Sequence, residues 1–286
     1  MTKILSGKVS SDKIKEELKS KLMSVTGSYS EVPKLVIIQV GENKASNIYI
    51  RNKINFCREV GIKALLMKYS DNVSENEICD IIRYYNSDIL THGIIVQTPL
   101  PDQISYDSII KVIDPDKDVD GFHSDNMGRT CLGLPGIKPA TALGVVRLLE
   151  THDIDYKGKD IVVIGRGQHV GLPISIMLGN NDMGTVTSCH INTKDLKDKC
   201  LKADIIVSAV GKPKFITEDM VKQGCVIVDV GINRDENGKL CGDVDFDNVE
   251  GKCSAISPVP GGVGPMTVSS LAINLVYTWE KLRNNL

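Results

Sequence analysis

Residues 159–173 read KDIVVIGRGQHVGLP, and the fold is decided here. Asp160 to Ile164 is β-branched and apolar after its first residue, the pattern of a strand buried on both faces. The run stops at Gly165. A glycine-bearing turn then leads into an apolar segment, Val170 to Leu178, that reads as a helix. Strand, glycine turn and helix in that order set the unpaired N–H groups of a helix N-terminus where they can hold a pyrophosphate. Gly165 and Gly167 are expected to let the backbone turn tightly and come close to a ligand. The glycines at 165, 167 and 171 give G-x-G-x-x-x-G, one residue longer than the common dinucleotide fingerprint. Alone they do not separate a nucleotide site from a plain β–α connection.

The flanking sequence separates them. Thr185–Cys189 reads as a second strand, followed by a helix expected to open at Thr193. Further strands are expected over Asp204–Val210 and Cys225–Val230. This β-α-β-α-β series is a Rossmann-like nucleotide domain. Its second strand ends Ser188-Cys189-His190, without the carboxylate that NAD-preferring folds offer to the ribose hydroxyls. Arg166 sits in the turn and can pair with a 2′-phosphate, the alternative being a solvated loop arginine. NADP is the expected nucleotide.

The chain has 286 residues, enough for two domains with real cores. A net charge of -2 without a long basic run argues against a nucleic-acid partner. The polar N-terminus gives no signal-peptide pattern, and no apolar run approaches membrane-spanning length. A cytoplasmic protein without a membrane partner is therefore expected. The eight cysteines contain no C-x-x-C pair and read as reduced core residues, neither a disulfide frame nor a metal site.

The N-terminal half reads as a separate α/β domain. Helical periodicity over Ser11–Val25 breaks at Gly27–Pro33. A strand at Lys34–Val40, a helix at Asn43–Val60, a strand at Ile62–Tyr69, a helix opened by Ser74 and a strand at Gly93–Gln97 follow. Tyr49 and Lys53, four apart, share a helix face, although a lysine there is commonly solvated. Gln97 stands at the carboxyl end of a strand, where open α/β sheets place ligands, although it can equally cap backbone groups. The loop DPDKDVDGFHSD (114–125) imitates the first half of a calcium loop. Asp116, Asp118, Asp120 and Gly121 carry that match, but the twelfth position counted from Asp116 is Met127, and no helix-forming run is seen before it, so calcium is rejected. Asp120 remains as a carboxylate able to clamp the paired N–H donors of an aminopyrimidine-like ring. Met127–Pro139 reads as a linker and Ala140–Leu149 as a helix. Asn237-Gly238 reads as a hairpin turn. The stretch ISPVPGGVGPMT (256–267) reads as a glycine-rich loop that leads to a last helix from about Met266.

Taken together, ASNIYIRNK (45–53), VQTPLP (96–101), DKDVDGFH (116–123), GRGQHVGLP (165–173), DVGINR (229–234) and PVPGGVGPMT (258–267) resemble the bifunctional methylenetetrahydrofolate dehydrogenase/methenyltetrahydrofolate cyclohydrolase family. The resemblance spans nearly the whole chain, with the motifs in order. It implies two α/β domains, a catalytic one (1–138 plus 266–286) and a Rossmann-like NADP-binding one (139–265), with the active site in a cleft between them, and usually a homodimer. The implied reactions oxidise 5,10-methylenetetrahydrofolate with NADP and hydrolyse the 5,10-methenyl product to 10-formyltetrahydrofolate.

Carried over by position, Lys53 matches the catalytic lysine and Gln97 the glutamine that orients it. Tyr49 matches the tyrosine that stacks on the substrate, and Asp120 the carboxylate that holds the pterin. Pro260, Gly261 and Gly262 match the folate-lining loop. Gly165, Arg166, Gly167, Val170, Gly171 and His190 match the nucleotide turn and the 2′-phosphate environment, and Gly211 and Ile232 the later cofactor loops. The resemblance implies no metal. A lysine that works as acid and base needs a lowered pKa, favoured by partial burial and the absence of a facing carboxylate.

The chain departs from the family pattern at Gly167 and Ile191, each standing where a serine is usual. It also departs at Ala140 and Ala142, for a cysteine and a proline, and at Thr98, for a leucine. The cofactor-side losses leave two alternatives to the bifunctional enzyme: a cyclohydrolase with a weakened dehydrogenase, and a folate- or nucleotide-binding protein without turnover. Intact Lys53, Gln97 and Asp120 argue against the last.

Overall fold

The computed structural model describes residues 1–26, 32–180 and 183–284. The break expected at Gly27–Pro33 lies mostly outside them. By its contacts the chain divides into two compact units. One comprises Met1–Asp12, Thr130–Leu134 and Thr141–Thr267; the other comprises Lys13–Arg129, Pro135–Ala140 and Val268–Leu286.

The chain opens with β1 (Lys3–Ile4) and α1 (Gly7–Thr26), followed by β2 (Lys34–Val40), α2 (Lys44–Val60), β3 (Lys63–Tyr69), α3 (Glu75–Ser87) and β4 (Gly93–Gln97). The three strands β3-β2-β4 form a parallel sheet in which Ile37 faces Leu66 on one side and Ile95 on the other. Central β2 is buried from Leu35 onward, which is why KLVIIQV is nearly continuously apolar. A reciprocal cap opens α3: Ser74 accepts from the Glu77 N–H, and the Glu77 carboxylate accepts from the Ser74 N–H. Ile78, Ile82 and Tyr85 of α3 pack with Val36, Ile38 and Ile94 of the sheet.

Two short helices correct the sequence reading. α4 (Tyr106–Val112) precedes the acidic loop, and α5 (Ser124–Cys131) occupies the first part of the expected linker. Neither had a visible apolar period, because each is only about two turns long. Two carboxylates of the acidic loop are engaged within the protein: Asp116 pairs with Lys281 at 2.6 Å, and Asp118 is buried among backbone donors.

The other unit continues with α6 (Ala140–Thr151), β5 (Asp160–Ile164), α7 (Gly171–Gly179), β6 (Thr185–Cys189), α8 (Leu196–Lys202), β7 (Ile205–Ser208), β8 (Val226–Asp229), the hairpin β9 (Asn233–Arg234) and β10 (Leu240–Cys241), α9 (Phe246–Val249) and β11 (Ala255–Ile256); the last helix, α10 (Val263–Asn284), starts in this unit and from Val268 onward belongs to the three-stranded one. The parallel sheet of this other unit has the order β1-β11-β8-β7-β5-β6. β1 pairs with β11, and by their contacts the first twelve residues fall in this unit. Thr193 does not open α8. Its hydroxyl accepts from the His190 N–H at 2.8 Å and closes a turn, and α8 starts after Asp195. α10 starts three residues before Met266, so the glycine-rich loop ends at Gly262. Six cysteines are buried, Cys241 is half-buried and Cys131 exposed; all are free thiols. No helix among the described residues is long and apolar enough to cross a membrane.

Candidate active site

In the three-stranded unit, α2 carries Tyr49 half-buried and, one turn on, Lys53, which is only 8% exposed. The solvated alternative for Lys53 is thereby excluded. Its Nζ donates to Gln97 Oε1 at 3.1 Å, and Gln97 Nε2 donates to the Thr98 carbonyl at 2.9 Å, which fixes the direction of the amide. Two contacts that the sequence reading missed hold α2 against the strand ends. Ser46, buried, donates to the Thr98 carbonyl at 2.8 Å, and Gln39 of β2 donates to Asn47 at 2.7 Å. Burial pushes the Tyr49 phenol up from its ordinary value. It also pushes the Cys57 thiol, one turn beyond Lys53, up to about 12 against the pull of the Lys53 charge. Cys57 is therefore a neutral neighbour and no competing nucleophile.

Asp120 lies half-buried in the same unit, and its carbonyl accepts from the Ala140 N–H at 3.0 Å. The loop around it is built on Asp118, 1% exposed, whose carboxylate accepts from the N–H groups of Gly121 and His123 and from Asn126 Nδ2 at 3.1, 2.7 and 3.1 Å. Burial raises the Asp118 carboxyl above the usual range, while these donors pull the other way. Lys117, also buried, donates to the carbonyls of Tyr85, Asn86 and Asp88 and so caps the end of α3. Nothing in D-K-D-V-D separates the inward acid from the outward ones, because the three acids stand two apart and share one phase of any alternation.

In the six-stranded unit the residues assigned to the nucleotide follow the carboxyl ends of adjacent strands. Gly165 follows β5, His190 β6, Gly211 β7 and Ile232 β8. Open α/β sheets place ligands at these ends. Gly165 has φ +108°, and a Cβ there would lie 2.2 Å from the Ala209 carbonyl oxygen; a Cβ at Gly171 would lie 1.9 Å from that of Gly165. These two glycines are required for close approach. Gly167 has ordinary φ and nothing within 4 Å of a Cβ, so no neighbouring backbone requires a glycine there. Val170 is the N-cap of α7 and makes no side-chain cap hydrogen bond. Arg166, His190, Gly211 and Ile232 are exposed. Ile191 is 98% exposed and contributes nothing to the core. Of the loop residues, Pro260 is exposed, Gly261 half-buried and Gly262 buried, with the Gly261 carbonyl accepting from the Gly7 N–H at 2.8 Å.

Family models match on both halves. The tetrahydrofolate dehydrogenase/cyclohydrolase catalytic domain matches residues 5–120, and the NAD(P)-binding domain of the same family matches residues 139–283. The chain belongs to this family. A bifunctional protein FolD from Sulfurihydrogenibium sp. is 48% identical over 279 residues, covering 97% of this chain and 98% of that one. The crystal structure of the bifunctional FolD dehydrogenase/cyclohydrolase from Campylobacter jejuni superposes with a TM-score of 0.95 at 47% identity, covering all of both chains. The Trypanosoma brucei family member, solved with NADP cofactor and an inhibitor, gives 0.93 at 32% identity over 98% of each chain. The family architecture read from the sequence, two α/β domains with the second Rossmann-like, is the one found.

Proposed function

We propose that this chain oxidises 5,10-methylenetetrahydrofolate with NADP and hydrolyses the resulting 5,10-methenyltetrahydrofolate to 10-formyltetrahydrofolate. The observation that carries the reading is the buried Lys53 side chain directed by Gln97, within a chain that shares the family's length and both of its domains. Unlike buried Lys117, which caps α3 through three backbone carbonyls, Lys53 Nζ donates to the side chain of Gln97 at the carboxyl end of β4.

In the hydrolytic step water adds to the methenyl carbon and one carbon–nitrogen bond breaks. Lys53 takes one proton from the attacking water and returns it to the leaving ring nitrogen, and the remaining hydroxyl proton is released to solvent as the formyl carbonyl forms. Gln97 accepts a hydrogen bond from Nζ and so aims the amine. Tyr49 offers its ring face to the substrate, and Asp120 accepts from the paired N–H groups of the pterin. Pro260, Gly261 and Gly262 line the folate.

Bound NADP supplies the hydride acceptor for the first step. The chain fits it: the glycine cradle at Gly165 and Gly171, the α7 end without a side-chain cap and the exposed Arg166 suit a phosphorylated dinucleotide. Gly165, Arg166, Gly167, Val170, Gly171, His190, Gly211 and Ile232 would hold it, with Arg166 assigned to the 2′-phosphate. No protein acid is needed here, because the ring-nitrogen lone pair pushes as hydride leaves; the residues position the reactants. The open space at Gly167 and the exposed Ile191 favour a second reading, a cyclohydrolase with weakened NADP affinity.

The test is reduction of NADP and NAD in parallel with methylenetetrahydrofolate, beside hydrolysis of supplied methenyltetrahydrofolate. NADP reduction well above NAD reduction, together with hydrolysis, is expected. Hydrolysis without reduction would leave only the second reading, and loss of both would overturn the proposal. A homodimer and cytoplasmic location belong to the same proposal; a monomer by light scattering would remove the former.

A further inference from the structure

Two buried carboxylates outside the residues named so far tie the cofactor-side loops together. Asp243 is fully buried and accepts four hydrogen bonds. Its Oδ2 takes the Ser208 hydroxyl at 3.1 Å and the Val210 N–H at 2.7 Å; its Oδ1 takes the Lys212 N–H at 3.0 Å and Asn233 Nδ2 at 2.8 Å. Gly211 is therefore flanked on both sides by N–H groups bound to this one carboxylate. Ile232 is flanked differently. On one side Asn233 donates its side-chain Nδ2 to Asp243; on the other Gly231 donates its N–H to Asp229, and a Cβ there would lie 2.0 Å from Asp243 Oδ1. Asp229, 3% exposed, completes the arrangement by accepting from the N–H groups of Gly231, Asp243 and Val244 at 3.1, 3.0 and 2.9 Å. Its own N–H donates to the Ser257 hydroxyl at 2.8 Å, just before the Pro260 loop. A plain core position needs no such acceptor. Here a carboxyl group is buried at the carboxyl ends of β7 and β8, where every one of its donors belongs to a strand end or a loop.

We propose that Asp243 is a positioning residue for the nucleotide: it sets the backbone of Val210–Lys212 and Gly231–Asn233 so that Gly211 and Ile232 meet the cofactor. It touches no ligand itself. The inference rests on the assignment of Gly211 and Ile232 to the cofactor in the reading above.

The experiment compares the full chain with its Asp243→Asn and Asn233→Ala forms in three measurements: KM for NADP in methylenetetrahydrofolate oxidation, hydrolysis of supplied methenyltetrahydrofolate, and melting temperature. Asn at 243 turns an NH2 towards N–H donors, so KM for NADP should rise by about tenfold or more. Asn233→Ala removes one donor of four and should raise it roughly threefold to fivefold while the fold is kept. Hydrolysis, which draws on Lys53 and Gln97 in the other unit, should stay within about twofold of the parent. Unchanged KM in a folded Asn233→Ala protein, or both activities falling in proportion, would overturn the positioning role. If Asp243→Asn does not fold, Asn233→Ala decides alone. A parent protein that hydrolyses but reduces no NADP would instead overturn the dehydrogenase reading, so the two failures are distinct.

Discussion

Lys53 Nζ donates to Gln97 Oε1 at 3.1 Å, and the glutamine is held from its other end by the Thr98 carbonyl at 2.9 Å. The amide therefore presents oxygen, not nitrogen, to the lysine. Replacing Lys53 with methionine keeps the buried stem and removes the proton carrier. Hydrolysis of methenyltetrahydrofolate should fall by about 100-fold or more while folate binding is retained. Equal turnover in the two proteins would refute the role given to Lys53. Gln97→Ala should lower the same rate by a smaller factor, since the amine remains but is no longer aimed.

Asp118 and Asp120 stand two apart and should respond oppositely. Asp118→Ala strands the N–H groups of Gly121 and His123 and the amide of Asn126 inside the protein, at a cost on the order of 3 kcal/mol. Asp120→Ala removes a half-buried side chain and should change stability by no more than about 0.5 kcal/mol, yet raise the folate KM about tenfold. Fluorescence of Trp279, the lone tryptophan and fully buried, reports unfolding in both. A strongly destabilised Asp120→Ala protein would show that its carboxylate serves the fold.

Sequence patterns showed the strands most clearly, because buried parallel strands such as Lys34–Val40 and Asp160–Ile164 are apolar runs closed by glycine or a turn. The site was legible where chemistry needs a rare residue type in a fixed frame, as with Lys53 and Gln97. It was not legible where burial decides: Asp118, Lys117, Asp229 and Asp243 are polar letters like any surface residue, and only the fold turns them inward. Tyr106–Val112 and Ser124–Cys131 escaped because two helical turns carry too little periodicity. Neighbouring backbone demands a glycine at 165 and 171 and not at 167, a distinction that G-x-G does not carry.

Gly167→Ser should accordingly be silent in stability, within about 0.5 kcal/mol, because its Cβ enters open space. With Ile191→Ser it restores two hydroxyls to the cofactor side, and KM for NADP should fall by roughly threefold or more if each adds even a weak hydrogen bond. Gly165→Ala, by contrast, should cost roughly 2 kcal/mol or more, since φ +108° and the Ala209 carbonyl oxygen at 2.2 Å both oppose a methyl group. A KM that does not move in the double serine variant would mean that the weakened-cofactor reading has no basis in these two positions.

His92 makes stability depend on pH in a defined direction. It is 4% exposed, and its Nδ1 accepts from the Lys34 N–H at 3.1 Å, a bond that only the neutral ring can make. Burial, with the Lys117 and Lys34 charges adding to it, holds its pKa down at about 4. An unfolded histidine titrates near 6.5. Between about pH 6.5 and 4 the unfolded chain therefore binds a proton that the folded chain refuses, and stability falls as pH falls through that window. Above the unfolded value the contribution is complete; below the folded value it changes no further. Asp229, raised by burial to about 6, acts with the opposite sign in an overlapping range, so the parent protein alone shows only the sum. His92→Asn keeps an oxygen acceptor for the Lys34 N–H and removes the titration. Urea midpoints followed by Trp279 fluorescence at pH 7, 5.5 and 4.5 should show the parent losing stability relative to this variant at each step down. Parallel curves would mean that the ring is protonated in the folded protein and that the Lys34 bond does not hold it neutral.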